Sequence, residues 1–193
     1  CQGTGKVDSE MKAGGLLGSA SYANVSDCSA DVTVIGTRIS GGFIGDIFLG
    51  SYKNCTAKGS VSGGWATGGF AGSVSGYDAS VEIERCASYG DVTAKDWNTG
   101  GFVGYLEKGK ISNSVSYSNV TNTVTGWEPK TGGFSGTNFG GEIQNCSAAG
   151  TVTGSHSTIA PGGFIGYDDG GTTAGCAFDQ EKNPVLNGVG DSG

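Results

Sequence analysis

The sequence predicts an all-β protein, a parallel β-solenoid (right-handed β-helix) of about six coils with one repeat per coil. Three observations predict it. A phrase Gly-Gly-Φ-x-Gly, with Φ a Phe or Leu, begins at Gly14, Gly41, Gly68, Gly100, Gly132 and Gly162, so it returns with a period that stretches a little after Gly68. The steps from Gly14 to Cys28, Gly41 to Cys55, Gly132 to Cys146 and Gly162 to Cys176 are equal; Ser114 holds that place after Gly100, and Cys86 falls slightly further along after Gly68. Small or apolar residues then alternate with polar ones, as in Cys55, Ala57, Gly59, Val61 and again in Cys146, Ala148, Gly150, Val152. A fixed period of roughly 30 residues marks one supersecondary unit per repeat, and period-2 alternation marks a strand. Three short strands with tight turns fill a repeat of this length, leaving no room for a helix of ordinary size.

Each repeat divides into three strand-like pieces. The first is the phrase itself, whose aromatic points inward and whose glycines permit tight bends or close backbone approach. The second ends in a motif whose clearest copies run from Gly109 to Ser114 and from Gly141 to Cys146. The third starts at the cysteine and places Thr56, Lys58 and Ser60 outside.

Stacking the coils at about 4.8 Å puts equivalent residues into columns. One holds Leu16, Phe43, Phe70, Phe102, Phe134 and Phe164; a second holds the cysteines and Ser114; a third holds Val7, Val34, Val61, Val92, Val120 and Val152. Asn54, Asn113 and Asn145, just before the cysteine column, are predicted to turn a corner with their amides bonded from coil to coil. Asp27, Arg85 and Gly175 interrupt that series. The cysteines are expected to stay thiols. Parallel Cα–Cβ bonds keep their Cβ atoms near 4.8 Å apart, beyond the roughly 3.5–4.5 Å of an unstrained bridge, although an oxidising location pulls the other way.

Composition narrows the function classes. Glycine supplies 39 of 193 residues without the every-third spacing of collagen, and Phe and Cys kept in phase over the repeats argue against disorder. The net charge of −7 leaves no basic footprint for nucleic acid. No run of 18 apolar residues exists, so no membrane insertion by this segment is expected. A chain that starts at Cys1 reads as a fragment of a larger secreted protein, with residues 1–193 forming one repeat domain. Cys1 precedes Cys28 by one full period, the same step as from Gly14 to Gly41, which makes it an ordinary member of the column.

The period stretches at residues 75–81, 95–99, 123–130 and 155–160. Insertions in a solenoid project from one edge, often the binding edge. Trp65, Trp97 and Trp127 sit in the connection leading to the next phrase. Trp97 and Trp127 are the candidate ligand-binding residues, suited to carbohydrate or protein contact; the competing use of such a Trp is to shield the core at a turn.

Catalytic and metal chemistry is not assigned to any residue, and no cofactor is expected. There is no His-Glu-x-x-His, and the lone His156 has no second imidazole with which to share a metal. Asp78, Glu82 and Glu84 beside Arg85 form the carboxylate cluster that a carbohydrate-active β-helix would need. Asp168 and Asp169, adjacent in a Gly-rich turn, are the candidates for calcium, with turn formation as the alternative.

The succession Gly-Gly-Φ-x-Gly, then Gly-x-Ile-x-Asn-Cys, then small-x-Gly-x-Val-Thr resembles the GLUG repeat over essentially the whole chain from Cys1 to about Cys176. Residues 132–153 lie close to the pattern, the first repeat departs from it at residues 23–28, and Ala177 to Pro184 is similar to the segment that often closes such arrays. The resemblance implies a secreted or surface-anchored bacterial protein, adhesin-like or related to the IgA-specific metallopeptidases. It supplies no catalytic or ligand residues. The expectation is therefore a noncatalytic stalk or adhesive domain at the bacterial cell surface or outside the cell, with a host protein or surface glycan as partner. The alternatives are a substrate-recognition region of a secreted IgA-type metallopeptidase and a carbohydrate-active β-helix enzyme.

Overall fold

Four parallel sheets make the walls of the solenoid in a computed structural model that describes residues 1–76, 81–124, 128–154 and 159–193. The first sheet collects short strands that end on the first glycine of the phrase, Lys12–Gly14, Ile39–Gly41, Ala66–Gly68, Asn98–Gly100 and Lys130–Gly132. The second begins just after Φ, with Leu17–Ala20, Ile44–Ile47, Ala71–Ser75, Val103–Lys108, Ser135–Phe139 and Ile165–Asp169, and is closed by Val189–Ser192. The third carries the segment before the Asn corner, from Ala23–Ser26 to Thr172–Ala174, six strands stacked one per coil. The fourth has 11 strands and carries both the pieces after the cysteines and those of the Val column, fused in the early coils as Gln2–Ser9 and Ser29–Gly36. Among the described residues there is no helix, hence none long and apolar enough to cross a membrane.

The three predicted columns are continuous. Phe43, Phe70, Phe102 and Phe134 are fully buried, and the rings from Phe43 to Phe164 stack at centroid spacings of 4.9, 4.9, 4.7 and 4.9 Å. Val7 pairs with Val34, and Val34, Val61, Val92, Val120 and Val152 follow in strict register. Cys28, Cys55, Cys86, Ser114 and Cys146 are all buried, between the strands of the third sheet and those of the fourth.

The phrase itself differs from the expectation. Its second glycine and Φ form a corner between two strands, and the residues before it, read from the sequence as connection, build a sheet of their own. Those strands are too short to display an alternation. The glycines are needed for close approach. A Cβ on Gly101 would meet the Gly133 carbonyl and Ser116 Oγ, and one on Gly42 would meet the Gly69 carbonyl and Ala57 Cβ. At this corner the interior is therefore only as wide as a Gly backbone facing an Ala or Ser.

The corner before the cysteines is a conformational column and not an amide ladder. Asp27, Asn54, Arg85, Asn113 and Asn145 have φ between 51° and 55°, and Gly175 has 64°. Asn, Asp and Gly reach this left-handed region most readily, which is why they dominate a place whose side chains share no other chemistry. Bonds between neighbours form where the side chains allow: Asn54 Nδ2 donates to Asp27 Oδ1 at 3.1 Å, and Arg85 Nε donates to Asn54 Oδ1 at 2.9 Å.

The expectation of six thiols is corrected at the first pair. Cys1 and Cys28 form a disulfide with their Cα atoms 4.5 Å apart. Ser29 N donates to the Cys1 carbonyl at 2.9 Å as Thr56 N donates to that of Cys28 at 3.0 Å, so the bridged pair keeps the register of the column, and a 4.5 Å Cα separation lies within the span a disulfide tolerates. Cys55, Cys86, Cys146 and Cys176 are free thiols. At the other end Asn183 stands in for the peptide of a further coil: its Nδ2 donates to the Gly150 carbonyl at 3.0 Å, and its Oδ1 accepts from Val152 N at 2.9 Å.

Candidate functional site

The edge that leads into the first sheet holds the tryptophans. Asn98 N donates to the Trp65 carbonyl at 2.9 Å and Lys130 N to the Trp97 carbonyl at 2.6 Å, so both Trp occupy one outward column just before the short strands. Trp65 is half-buried, with its ring tilted against Tyr105 at a centroid distance of 5.5 Å. Trp97, one coil on, is 41% exposed. Tyr105, which packs on Trp65, pairs in register with Thr137, whose hydroxyl donates to Asn98 Oδ1. Trp127 lies outside the described residues.

Beside this column runs a groove of about 350 Å³ lined by Ile35, Gly36, Thr37, Ser62, Gly63, Gly64, Lys95 and Asp96. The chain turns sharply there because Gly36 and Gly63 pack against Ser40 and Thr67 with no room for a Cβ. Backbone polar groups, one cation and one carboxylate line a polar trough, and Trp97 follows the lining residue Asp96 in the chain. Such a trough can bind a sugar ring or an extended peptide through hydrogen bonds and stacking.

The acidic cluster is brought together on the outer face of the third sheet, with Asp78 outside the described residues. Lys53, Glu82, Glu84, Lys110 and Ser112 line a groove of about 300 Å³. Lys53 Nζ lies 3.6 Å from Glu82 and 3.5 Å from Glu84, Arg85 also pairs with Glu84, and Lys110 reaches Glu142 at 3.1 Å. Each of these carboxylates therefore has a cation beside it. Asp168 and Asp169 end a strand of the second sheet. Burial raises the Asp168 pKa, and the charge of Asp169 adds to the rise, while bonds from Asn138 and Gly171 oppose it. Among the described residues no group of three or more His, Cys, Asp or Glu converges on a possible metal position. His156 lies outside the described residues.

A seam between the first and second sheets was not legible in the sequence. It joins Lys12 to the buried Asp46 at 2.7 Å, the Thr137 hydroxyl to Asn98 Oδ1 at 2.6 Å, and Lys130 to the face of Tyr167 at 4.2 Å. These contacts cross from one coil to the next, so they hold the tryptophan column in register.

The profile of the GLUG motif matches residues 10–35 and 131–153. The chain carries GLUG motifs. The copies between the two matched segments sit on the same columns, with Gly14, Gly41, Gly68, Gly100 and Gly132 paired in sequence. A solved structure described as that of a putative immunoglobulin A1 protease from Bacteroides ovatus is similar over 94% of this chain, with a TM-score of 0.50 and 22% identity. That likeness shows the fold, and the GLUG chain spans 63% of the length of the Bacteroides ovatus chain. No curated protein matches the chain.

Proposed function

We propose that this GLUG solenoid is a noncatalytic binding segment of a secreted or surface-anchored bacterial protein, engaging a glycan or a host protein along the tryptophan edge. The observation that carries the reading is Trp97, 41% exposed beside a polar groove of about 350 Å³ on an otherwise tightly stacked scaffold. A rigid wall that presents an exposed indole suits recognition, because little order is lost when a ligand settles on it. Ion-paired carboxylates on the third sheet support the noncatalytic part of the reading.

A second reading is the substrate-recognition part of an immunoglobulin A peptidase. The fold shared with the Bacteroides ovatus protein supports it. The test is binding of the purified chain to a glycan array and to immobilised immunoglobulin A1. Binding that falls at least tenfold in Trp97→Ala or Trp127→Ala, with the melting temperature unchanged, supports the tryptophan edge. Binding indifferent to both substitutions assigns the ligand to another face. Unsaturated sugar ends released from an acidic polysaccharide would overturn the noncatalytic reading and favour a carbohydrate-active β-helix enzyme.

A further inference from the structure

The cysteine column has a parity. Its order is Cys1, Cys28, Cys55, Cys86, Ser114, Cys146, Cys176, held in register by the pairs that follow each member: Ser29 with Thr56, Thr56 with Ala87, Ala87 with Val115, Val115 with Ser147, and Ser147 with Ala177. Ser114 divides the column into a run of four cysteines and a run of two. With Cys1 joined to Cys28, the remaining thiols form two adjacent couples and none is left over. In each couple the second sulfur lies against the backbone of the first cysteine. The backbone N of Cys55 donates to Cys86 Sγ at 3.4 Å and that of Cys146 to Cys176 Sγ at 3.5 Å. In the couple that is bridged, the Cys1 nitrogen lies 3.1 Å from Cys28 Sγ, the same arrangement.

We propose that Cys55–Cys86 and Cys146–Cys176 are two further disulfide sites, closed by exchange with a small-molecule disulfide such as oxidised glutathione. Each closure forms one Sγ–Sγ bond and removes two thiol protons and two electrons. The electrons reduce the disulfide of the oxidant to two thiols. One cysteine thiolate attacks the oxidant and releases its first thiol; the neighbouring cysteine then attacks the mixed disulfide and releases the second. Interaction with the Cys86 side chain lowers the Cys55 pKa and raises that of Cys86, which favours Cys55 as the attacking sulfur of its couple.

Access sets the order of closure. Cys176 is half-exposed, whereas Cys55 and Cys86 are 0% and 1% exposed. The 146–176 couple can therefore react in the folded chain, while the 55–86 couple waits for its coils to open. With both closed, every cysteine of the column is bridged to its neighbour, and the coil of Ser114 is the one left without a staple.

The test exposes the folded chain to oxidised glutathione, alkylates the remaining thiols at intervals under denaturing conditions, and maps peptides by mass spectrometry without reduction. The account expects the four thiols to fall first to two, with Cys146 joined to Cys176, and then to none, with Cys55 joined to Cys86. The melting temperature should rise at each step. In Cys176→Ser the 55–86 couple should still close, leaving Cys146 as a thiol. Stable glutathione adducts, a bridge between Cys28 and Cys55, or four thiols that persist after refolding in the oxidant would each overturn the proposal.

Discussion

Phe102→Ala removes one ring from the middle of the aromatic stack. Phe102 is fully buried, and its ring lies 4.9 Å from that of Phe70 and 4.7 Å from that of Phe134, nearly parallel to both. Losing the buried side chain costs about 1.5–3 kcal/mol of transfer energy. The two stacked contacts add about 0.5–1.5 kcal/mol each. The gap cannot close, because Phe70 N and Phe102 N are bonded to the Phe102 and Phe134 carbonyls and hold the coils apart. A total of about 2.5–6 kcal/mol follows, bracketing the measured range of about 3–5 kcal/mol for Phe→Ala losses. Leu16, half-buried in the first coil, should lose only about 1 kcal/mol on the same truncation. Urea unfolding followed by far-ultraviolet dichroism and by Trp fluorescence reads both values. Coincident transitions show that the array melts as a unit and license the comparison of midpoints. A loss below about 1 kcal/mol at Phe102, or equal losses at the two positions, would show that the aromatic column is not the core of the stack.

Two further perturbations probe the corner and the end of the stack. Asn113→Gly should leave stability nearly unchanged and Asn113→Ala should cost about 1 kcal/mol, because a left-handed φ and not an amide bond is required there; equal losses in a urea melt would restore the amide ladder. Asn183→Ala strips the Gly150 carbonyl and Val152 N of their partners and should cost about 1–3 kcal/mol. Amide exchange should accelerate at Val152 while Val92 stays protected, and unchanged exchange at Val152 would refute its role as an end cap.

Stacking made most of the fold legible, since a parallel solenoid writes each structural position into the sequence once per coil. Phe43, Cys55 and Val61 could be placed because their counterparts repeat the same chemistry. The strands ending on the first glycine could not, because Lys12, Ile39, Ala66, Asn98 and Lys130 pair in register yet share no chemical type. The seam was hidden for a second reason. Its partners belong to successive coils, as with Trp65 and Tyr105 or Lys130 and Tyr167, so their separations exceed a repeat and differ from pair to pair. The same offset bears on the candidate site. Sequence placed Trp65 and Trp97 alike, whereas in the structure Trp65 is half-buried against a tyrosine and Trp97 is 41% exposed. Asp27 and Arg85 looked like breaks in an Asn series because a residue name records chemistry, and the series is one of backbone angle.

Distances between spin labels along the outer face of the third sheet test the in-register stack most directly. Asn24, Ser51, Glu82, Lys110, Glu142 and Thr172 follow one another in a single column. Labels introduced through an unnatural amino acid leave the native cysteines untouched. At about 4.8 Å per coil, the account predicts separations of about 14 Å from Asn24 to Lys110, about 19 Å to Glu142 and about 24 Å to Thr172. Separations that do not grow by one strand spacing per repeat would contradict a solenoid in which each phrase begins a new coil.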